Sequence, residues 1–345
     1  YPITPASEIA ELMSRRLPEV GGTFIQMEDE IASISSVIGA VWGGVKACTA
    51  SSGPGISLMQ EGVGYAAETE TPCVIINVMR GGPSTGQPTL ASQQDIYQAK
   101  YGSHGDYEII ALTPSNAQEA YDLTITAFNL AERYRVPVYL LMDEVVGHTR
   151  EKVRLHHEIP VYERVAPPMD QPPFAPDGEG LLPGMPTFNR GYRLLVDGQL
   201  HDERGIRVGN DPVTSAALVS RLCHKITDHV DDLTDIEVLG PDDAAVALVT
   251  FGSSARSSLE AAYLAQQEGV RVRLVRLRAI FPFPEQAVRR SIGTAKTVIV
   301  PEMNIGKLVL EVRRALEGAA EVRSLTRLGG PMPEPEQILQ MIKEA

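Results

Sequence analysis

The chain has 345 residues, 43% hydrophobic and 22% charged, enough for two domains with full cores and ordinary for a soluble globular protein. A net charge of -13 argues against nucleic acid as a partner, because phosphate backbones require clustered Lys and Arg. No apolar run reaches the roughly 20 residues of a membrane span, and no signal-peptide pattern opens the chain.

The chain opens on Tyr1 rather than Met, so the natural start is expected earlier. Residues 6–16 read as a helix with Ile9, Leu12 and Met13 on one face and Pro18 ending it. A short strand is expected over 23–27, a helix over 31–42 and a strand over 45–49. That strand runs into the turn-forming Ser51-Ser52-Gly53-Pro54-Gly55, with a helix following to about Glu68. Residues 74–79, VIINVM, form an apolar run broken only by Asn77, the mark of a strand covered by helices on both faces. Ser115 and Gln118 suggest a capping box opening a long helix, whose apolar stripe includes Leu123, Ala127, Ala131 and Tyr134. Residues 136–142 are one more buried strand. This is a doubly wound α/β pattern over residues 1–150.

Residues 151–240 break the alternation. Pro and Gly are dense from 166 to 186, and one helix is expected near 213–227. A floppy linker and an extended arm wrapping a neighbour both suit this composition. Phe174, Phe188 and Tyr192 give an arm something apolar to dock. From residue 241 to 345 the alternation returns. Strands are expected over 245–250, 270–275 and 297–300. Helices are expected over 255–268, with Leu259, Ala262 and Tyr263 inward, and over 306–316 and 335–343.

Ligands of open parallel sheets bind beyond the carboxyl ends of strands. Arg80 stands at such an end and opens Arg80-Gly81-Gly82-Pro83-Ser84-Thr85-Gly86. A guanidinium fixed there can grip a carboxylate bidentately; it could equally cap a helix end or pair with Glu68 or Glu70. Glu30, followed by apolar Ile31, Ala32 and Ile34, could be a poorly hydrated carboxylate. Glu28, Asp29 and Glu30 also suit the positive end of a helix dipole. The Ser51–Gly55 loop before a helix is a weak anion-cradle signal, without a P-loop Lys. His104, in a Gly-flanked loop, is a base, a ligand or simply structural. HExxH and clustered His/Cys sets are missing from the sequence, which disfavours a metal enzyme. Cys48, Cys73 and Cys223 form no CxxC pair, suit a reducing cytoplasm, and are too few to hold a four-iron cluster.

The opening Tyr1-Pro2-Ile3-Thr4-Pro5 closely resembles the YPITP motif of 2-oxoacid:ferredoxin oxidoreductases. Arg80 to Thr89, RGGPSTGQPT, resembles a second hallmark of that family. The resemblance continues through residues 101–106, 197–205 and 300–308, so nearly the whole chain is covered. It implies a pyrimidine-binding-like domain over 1–150, a linker or arm over 151–240 and a transketolase C-terminal-like domain over 241–345. The family's strand and helix ahead of YPITP are missing here, and some members fuse a γ-like domain ahead of these.

By resemblance, Glu30 matches the family's thiamine-contacting glutamate, which favours the cofactor's reactive tautomer. Thr4, Arg80 and Thr89 would bind the carboxylate and oxo end of the substrate. The family further implies a partner β subunit, in a heterodimer or dimer of heterodimers. That subunit would hold the diphosphate of thiamine diphosphate, Mg²⁺ and a [4Fe-4S] cluster. Coenzyme A would be co-substrate, and ferredoxin, itself acidic, would dock mainly on the partner. The expected reaction is oxidative decarboxylation of 2-oxoglutarate to succinyl-CoA and CO₂. Pyruvate, branched-chain 2-oxoacids or indolepyruvate are alternative substrates. A non-catalytic scaffold subunit is the alternative of another class, with Thr4, Glu30 and Arg80 buried in salt bridges away from any cleft.

Overall fold

The computed structural model describes residues 1–345, and two sheets organise it. The first half supplies β1 (Cys48–Ser51), β2 (Val74–Gly81), β3 (Gln87–Ala91), β4 (Ile110–Leu112) and β5 (Val138–Asp143). Its helices are α1 (Ser7–Arg16), α2 (Glu30–Trp42), α3 (Pro54–Leu58), α4 (Gln60–Glu68), α5 (Ile96–Tyr101), α6 (Ala117–Tyr134) and α7 (Glu144–His148). Strands β1, β2, β5 and β4 run parallel in that order, and β2 and β5 are buried at every residue. Helices cover both faces of such strands, which is why they read as largely apolar runs.

The second sheet has the order β11-β10-β7-β8-β6. It is built from β6 (Ile236–Leu239), β7 (Val246–Phe251), β8 (Val272–Leu277), β10 (Thr297–Glu302) and β11 (Glu321–Thr326). Helices α8 (Pro212–Thr227) and α9 (Val230–Leu233) precede it. Its own helices are α10 (Ser254–Gln267), α11 (Glu285–Ser291), α12 (Leu308–Leu316) and α13 (Pro335–Lys343). One strand crosses over: β9 (Ala279–Phe281) pairs antiparallel with β4 and closes the edge of the first sheet. A single core cluster therefore runs through both halves, from Trp42 and Ile75 to Phe281 and Val312. No helix is long and apolar enough to cross a membrane.

Several sequence expectations shift. Residues 23–27 form no strand; β1 pairs only with β2, so no neighbour supplies the ladder, and Ile25 is exposed. The cap of α6 sits one residue later than expected: Asn116 Oδ1 accepts from Glu119 N at 2.8 Å, and Glu119 reaches back to Ser115 N at 2.8 Å. Gln118 instead bonds Asp122 and the carbonyl of Arg154. In α10, Leu259 and Tyr263 face out. The buried face is Ala255, Ser258, Ala261 and Ala265, small residues that let the helix lie close on β7, β8 and α13. The missed strands β3, β4, β6, β9 and β11 are short or edge elements.

Between Thr149 and Asp211 there is no helix or strand, only an isolated bridge between His201 and Arg207. This segment folds back on its own chain. Phe174 and Phe188 lie 6.0 and 6.2 Å from the Trp42 ring, and Leu181, Leu182 and Met185 are buried. Tyr192 is held by Pro167 O at 2.6 Å. An ion cluster fastens the seam: Glu70 accepts from Lys225 at 2.8 Å and from Arg221, while buried Arg135 donates to the carbonyls of Glu70 and Gly184. Burial alone would raise the Glu70 carboxyl, but Lys225, Arg221 and Arg135 outweigh it and hold it at about 2. Two residues earlier the balance reverses. Burial, with Glu70 and Asp197 nearby, pushes Glu68 up to about 8. Both Glu68 oxygens lack hydrogen bonds, as does His201 Nε2, which stands 3.5 Å away.

Candidate active site

Three consecutive acids open α2, and the fold gives each a different task. Glu28 is exposed. Asp29 is the N-cap, its Oδ1 accepting from Ala32 N at 2.7 Å. Glu30 is 4% exposed and turns inward to the carboxyl end of β1. Its Oε1 accepts from Ser51 Oγ at 3.3 Å, its sole hydrogen bond to a side chain. Gly55 makes this approach possible, since a Cβ there would strike both Ser51 Oγ and Glu30.

Arg80 lies at the carboxyl end of β2 and is also 4% exposed. It caps no helix and pairs with neither Glu68 nor Glu70. Its Nη1 donates to Thr4 O at 2.6 Å and its Nη2 to Thr85 O at 2.9 Å. Its Nε is buried without a partner, beside Gly53. Burial lowers its pKa, opposed by Asp95. The YPITP segment and the RGGPSTG loop are thus joined through one guanidinium. Thr4 and Thr89 are exposed. Thr89 belongs to β3, whose pairing with β2 slips between Arg80↔Ala91 and Gly81↔Gln87, so it stands in a bulge opposite Arg80.

These pieces form one cradle. Ser51 is in register with Asn77 on the next strand, and a Cβ at Gly53 would meet Arg80 Nε at 3.2 Å. Ser52 Oγ, Asn77 Oδ1 and Arg80 Nε are buried, unpartnered polar atoms, Asn77 beside the end of β1 and Arg80 near the end of β2. Buried polar groups are normally paired, so such a group of orphans marks a place where a polar ligand can be met. Sequence reasoning flagged the Ser51–Gly55 loop only as a weak anion cradle, and missed Asn77 and Asp95. A Ser-Ser pair at a strand end was the available signal, but only the register of β1 on β2 brings Asn77 beside it.

Other candidates fall away from the cradle. His104 is exposed and makes no hydrogen bond. Burial pushes the Cys48 thiol up to about 11 and the Cys73 thiol up to about 12, so both stay protonated at neutral pH. No group of three or more His, Cys, Asp or Glu has metal-binding geometry.

Two family models match the chain. "Pyruvate flavodoxin/ferredoxin oxidoreductase, thiamine diP-bdg" covers residues 1–220, and "Pyruvate:ferredoxin oxidoreductase core domain II" covers 244–338. The chain is 50% identical over 344 residues to 2-oxoglutarate synthase subunit KorA of Methanothermobacter marburgensis, covering 99% of this chain and 92% of that one. It is 36% identical over 347 residues to ketoisovalerate oxidoreductase subunit VorB of Methanothermobacter thermautotrophicus, covering 100% and 91%. Among solved structures it is similar to 2-oxoglutarate:ferredoxin oxidoreductase from Magnetococcus marinus with 2-oxoglutarate, coenzyme A and succinyl-CoA bound. There the TM-score is 0.90 at 32% identity over 100% of this chain, which spans 61% of that chain's length. A split gene transketolase, with TM-score 0.55 at 13% identity, over 96% of this chain and 86% of that one, shares the fold alone. With one family model covering well over half its length and relatives at 50% identity end to end, the chain belongs to the thiamine-diphosphate-binding pyruvate flavodoxin/ferredoxin oxidoreductase family, the 2-oxoacid:ferredoxin oxidoreductases.

Proposed function

We propose that this chain is the α subunit of a 2-oxoglutarate:ferredoxin oxidoreductase. With its β partner it converts 2-oxoglutarate and coenzyme A to succinyl-CoA and CO₂, reversibly, the two electrons leaving singly to ferredoxin. The observation that carries the reading is the cradle itself. Neither Glu30 nor Arg80 takes part in a salt bridge, although both are buried and both retain unused hydrogen-bonding capacity. A scaffold subunit has no reason to keep two such charges unpaired, since each costs stability.

The residues suit thiamine diphosphate: an acid in a dry niche, a close-packed glycine turn, and unpartnered polar atoms around it. When bound, the cofactor supplies a nucleophilic carbon that can attack a 2-oxo group and accept the electrons left by loss of CO₂. Glu30 holds or shares a proton at a pyrimidine nitrogen, with Ser51 fixing its carboxylate. Arg80 turns from the carbonyls of Thr4 and Thr85 to the substrate carboxylate, where donor and acceptor are both charged and the bond is stronger than to either neutral carbonyl. The hydroxyls of Thr4 and Thr89 meet the oxo end. Mg²⁺, the diphosphate and a [4Fe-4S] cluster belong to the β subunit in this proposal, and ferredoxin docks there.

The greater likeness to subunits named for 2-oxoglutarate than to those named for ketoisovalerate, 50% against 36%, favours 2-oxoglutarate over branched-chain substrates. The test is co-purification with the β subunit and comparison of kcat/KM for 2-oxoglutarate, pyruvate and branched-chain 2-oxoacids by coenzyme A-dependent viologen reduction. Equal values would remove the assignment of substrate. No activity on any 2-oxoacid would remove the reaction.

A further inference from the structure

The cradle is tied to the second sheet by two consecutive glutamines that no motif singled out. Gln93 is fully buried where the two halves of the chain meet. Its carboxamide uses every valence it has. Nε2 donates to Asp143 Oδ2 at 3.0 Å and to Phe251 O at 3.1 Å. Oε1 accepts from Ser254 Oγ at 3.0 Å and from Met303 N at 3.1 Å. The backbone is equally committed, its N–H to Met303 O at 2.9 Å and its carbonyl to Asn304 Nδ2 at 3.0 Å. Two donors and two acceptors fix the amide in one orientation.

Gln94 continues the line toward the cradle. Its carbonyl accepts from Lys307 Nζ, at the start of α12. Its side-chain Oε1 accepts from Gly82 N at 3.0 Å, inside the RGGPSTG loop. That loop has little other freedom, because Gly86 lies so close to Gly81 O that a Cβ would collide. Thr85, which receives Arg80 Nη2, lies in the same loop. The path from second sheet to guanidinium is therefore Met303 and Lys307, then Gln93 and Gln94, then Gly82, Thr85 and Arg80.

We infer that Gln94 is a positioning residue: through Gly82 it sets the loop that aims Arg80 at the substrate carboxylate, with the second sheet as its anchor. The inference rests on the reading of Arg80 as the carboxylate clamp. A clamp that grips ground state and transition state alike governs KM more than kcat. Losing one aligning hydrogen bond is worth about a fivefold to tenfold change.

The experiment is steady-state kinetics of the assembled enzyme with 2-oxoglutarate. Gln94→Met keeps length and removes the acceptor; KM should rise about fivefold to tenfold with kcat within about twofold. Gln94→Glu keeps an acceptor and should restore KM. Lys307→Met cuts the path one bond earlier and should raise KM in the same direction. Because Gln94 acts through Arg80, adding Gln94→Met to Arg80→Lys should raise KM by less than about twofold further. An unchanged KM in Gln94→Met, or a full additional factor in the double variant, overturns the inference. Arg80→Lys with normal KM would sink the clamp and this inference together. Arg80→Lys impaired beside a normal Gln94→Met sinks this inference alone.

Discussion

Two buried polar regions lie within a few residues of each other, and they differ in how their hydrogen bonds close. The Gln93 side chain is fully paired: Asp143, Phe251, Ser254 and Met303 all answer it. Around Glu30 and Arg80 the pairing is left open, at Ser52 Oγ, Asn77 Oδ1 and Arg80 Nε. A satisfied network rigidifies and specifies a fold, whereas an open one costs free energy until a ligand completes it. The first region should therefore answer mutation through stability and the second through turnover.

The largest effect is expected at Glu30. Glu30→Gln keeps an acceptor for Ser51 Oγ but cannot hold or release the proton, so turnover should fall by about 10²–10⁴-fold. Viologen reduction measures it, and the iron content of the complex should not change. Normal turnover would remove Glu30 from the mechanism.

Arg80→Ala comes next, with kcat/KM for every 2-oxoacid tested falling about 10²-fold or more, the loss of charge-assisted bonds to carboxylate. A loss confined to one substrate would mean that Arg80 reads the side chain rather than the shared carboxylate.

Gln93→Leu probes the other region. It leaves Asp143, Ser254 and Met303 N without their partner, and should destabilise the fold by about 2–3 kcal/mol. Denaturant midpoints would show it. If Gln93→Leu unfolds no earlier than Glu30→Gln, the contrast between the two regions is broken.

The smallest effect is one of pH. Glu68, at about 8 when folded, keeps a proton that the unfolded chain loses near 4.5. The folded state thus binds more protons between these values, so its contribution to stability falls as pH rises from about 4.5 to 8. Glu70 has the opposite sign: held at about 2, it contributes fully above about 4.5 and is lost as pH falls toward 2. Hydrogen exchange at residues 196–201, which pack on α4 through Tyr65 and His201, should quicken from pH 6 to 8.5 beyond the intrinsic rate. Glu68→Gln should flatten that rise.

The sequence by itself determined the elements whose signal is local. The VIINVM run had to be a buried strand, and the stripe of Leu123, Ala127, Ala131 and Tyr134 had to face a sheet, because periodicity is carried by neighbours in the chain. The YPITP and RGGPSTG motifs likewise pointed to Thr4, Arg80 and Thr89 without a structure. Resemblance alone had singled out Glu30 among three acids that all suit a helix start; tertiary structure supplied the physical reason it is the buried one, the position of β1 and Gly55. It also decided that β9 leaves its own half to close the first sheet, and that small residues rather than Leu259 and Tyr263 face inward on α10. Gln93 and Gln94 carried no sequence signal at all. Their hydrogen bonds run to residues more than 150 positions away as well as to near ones, and a polar side chain shows its worth only when such partners are brought around it.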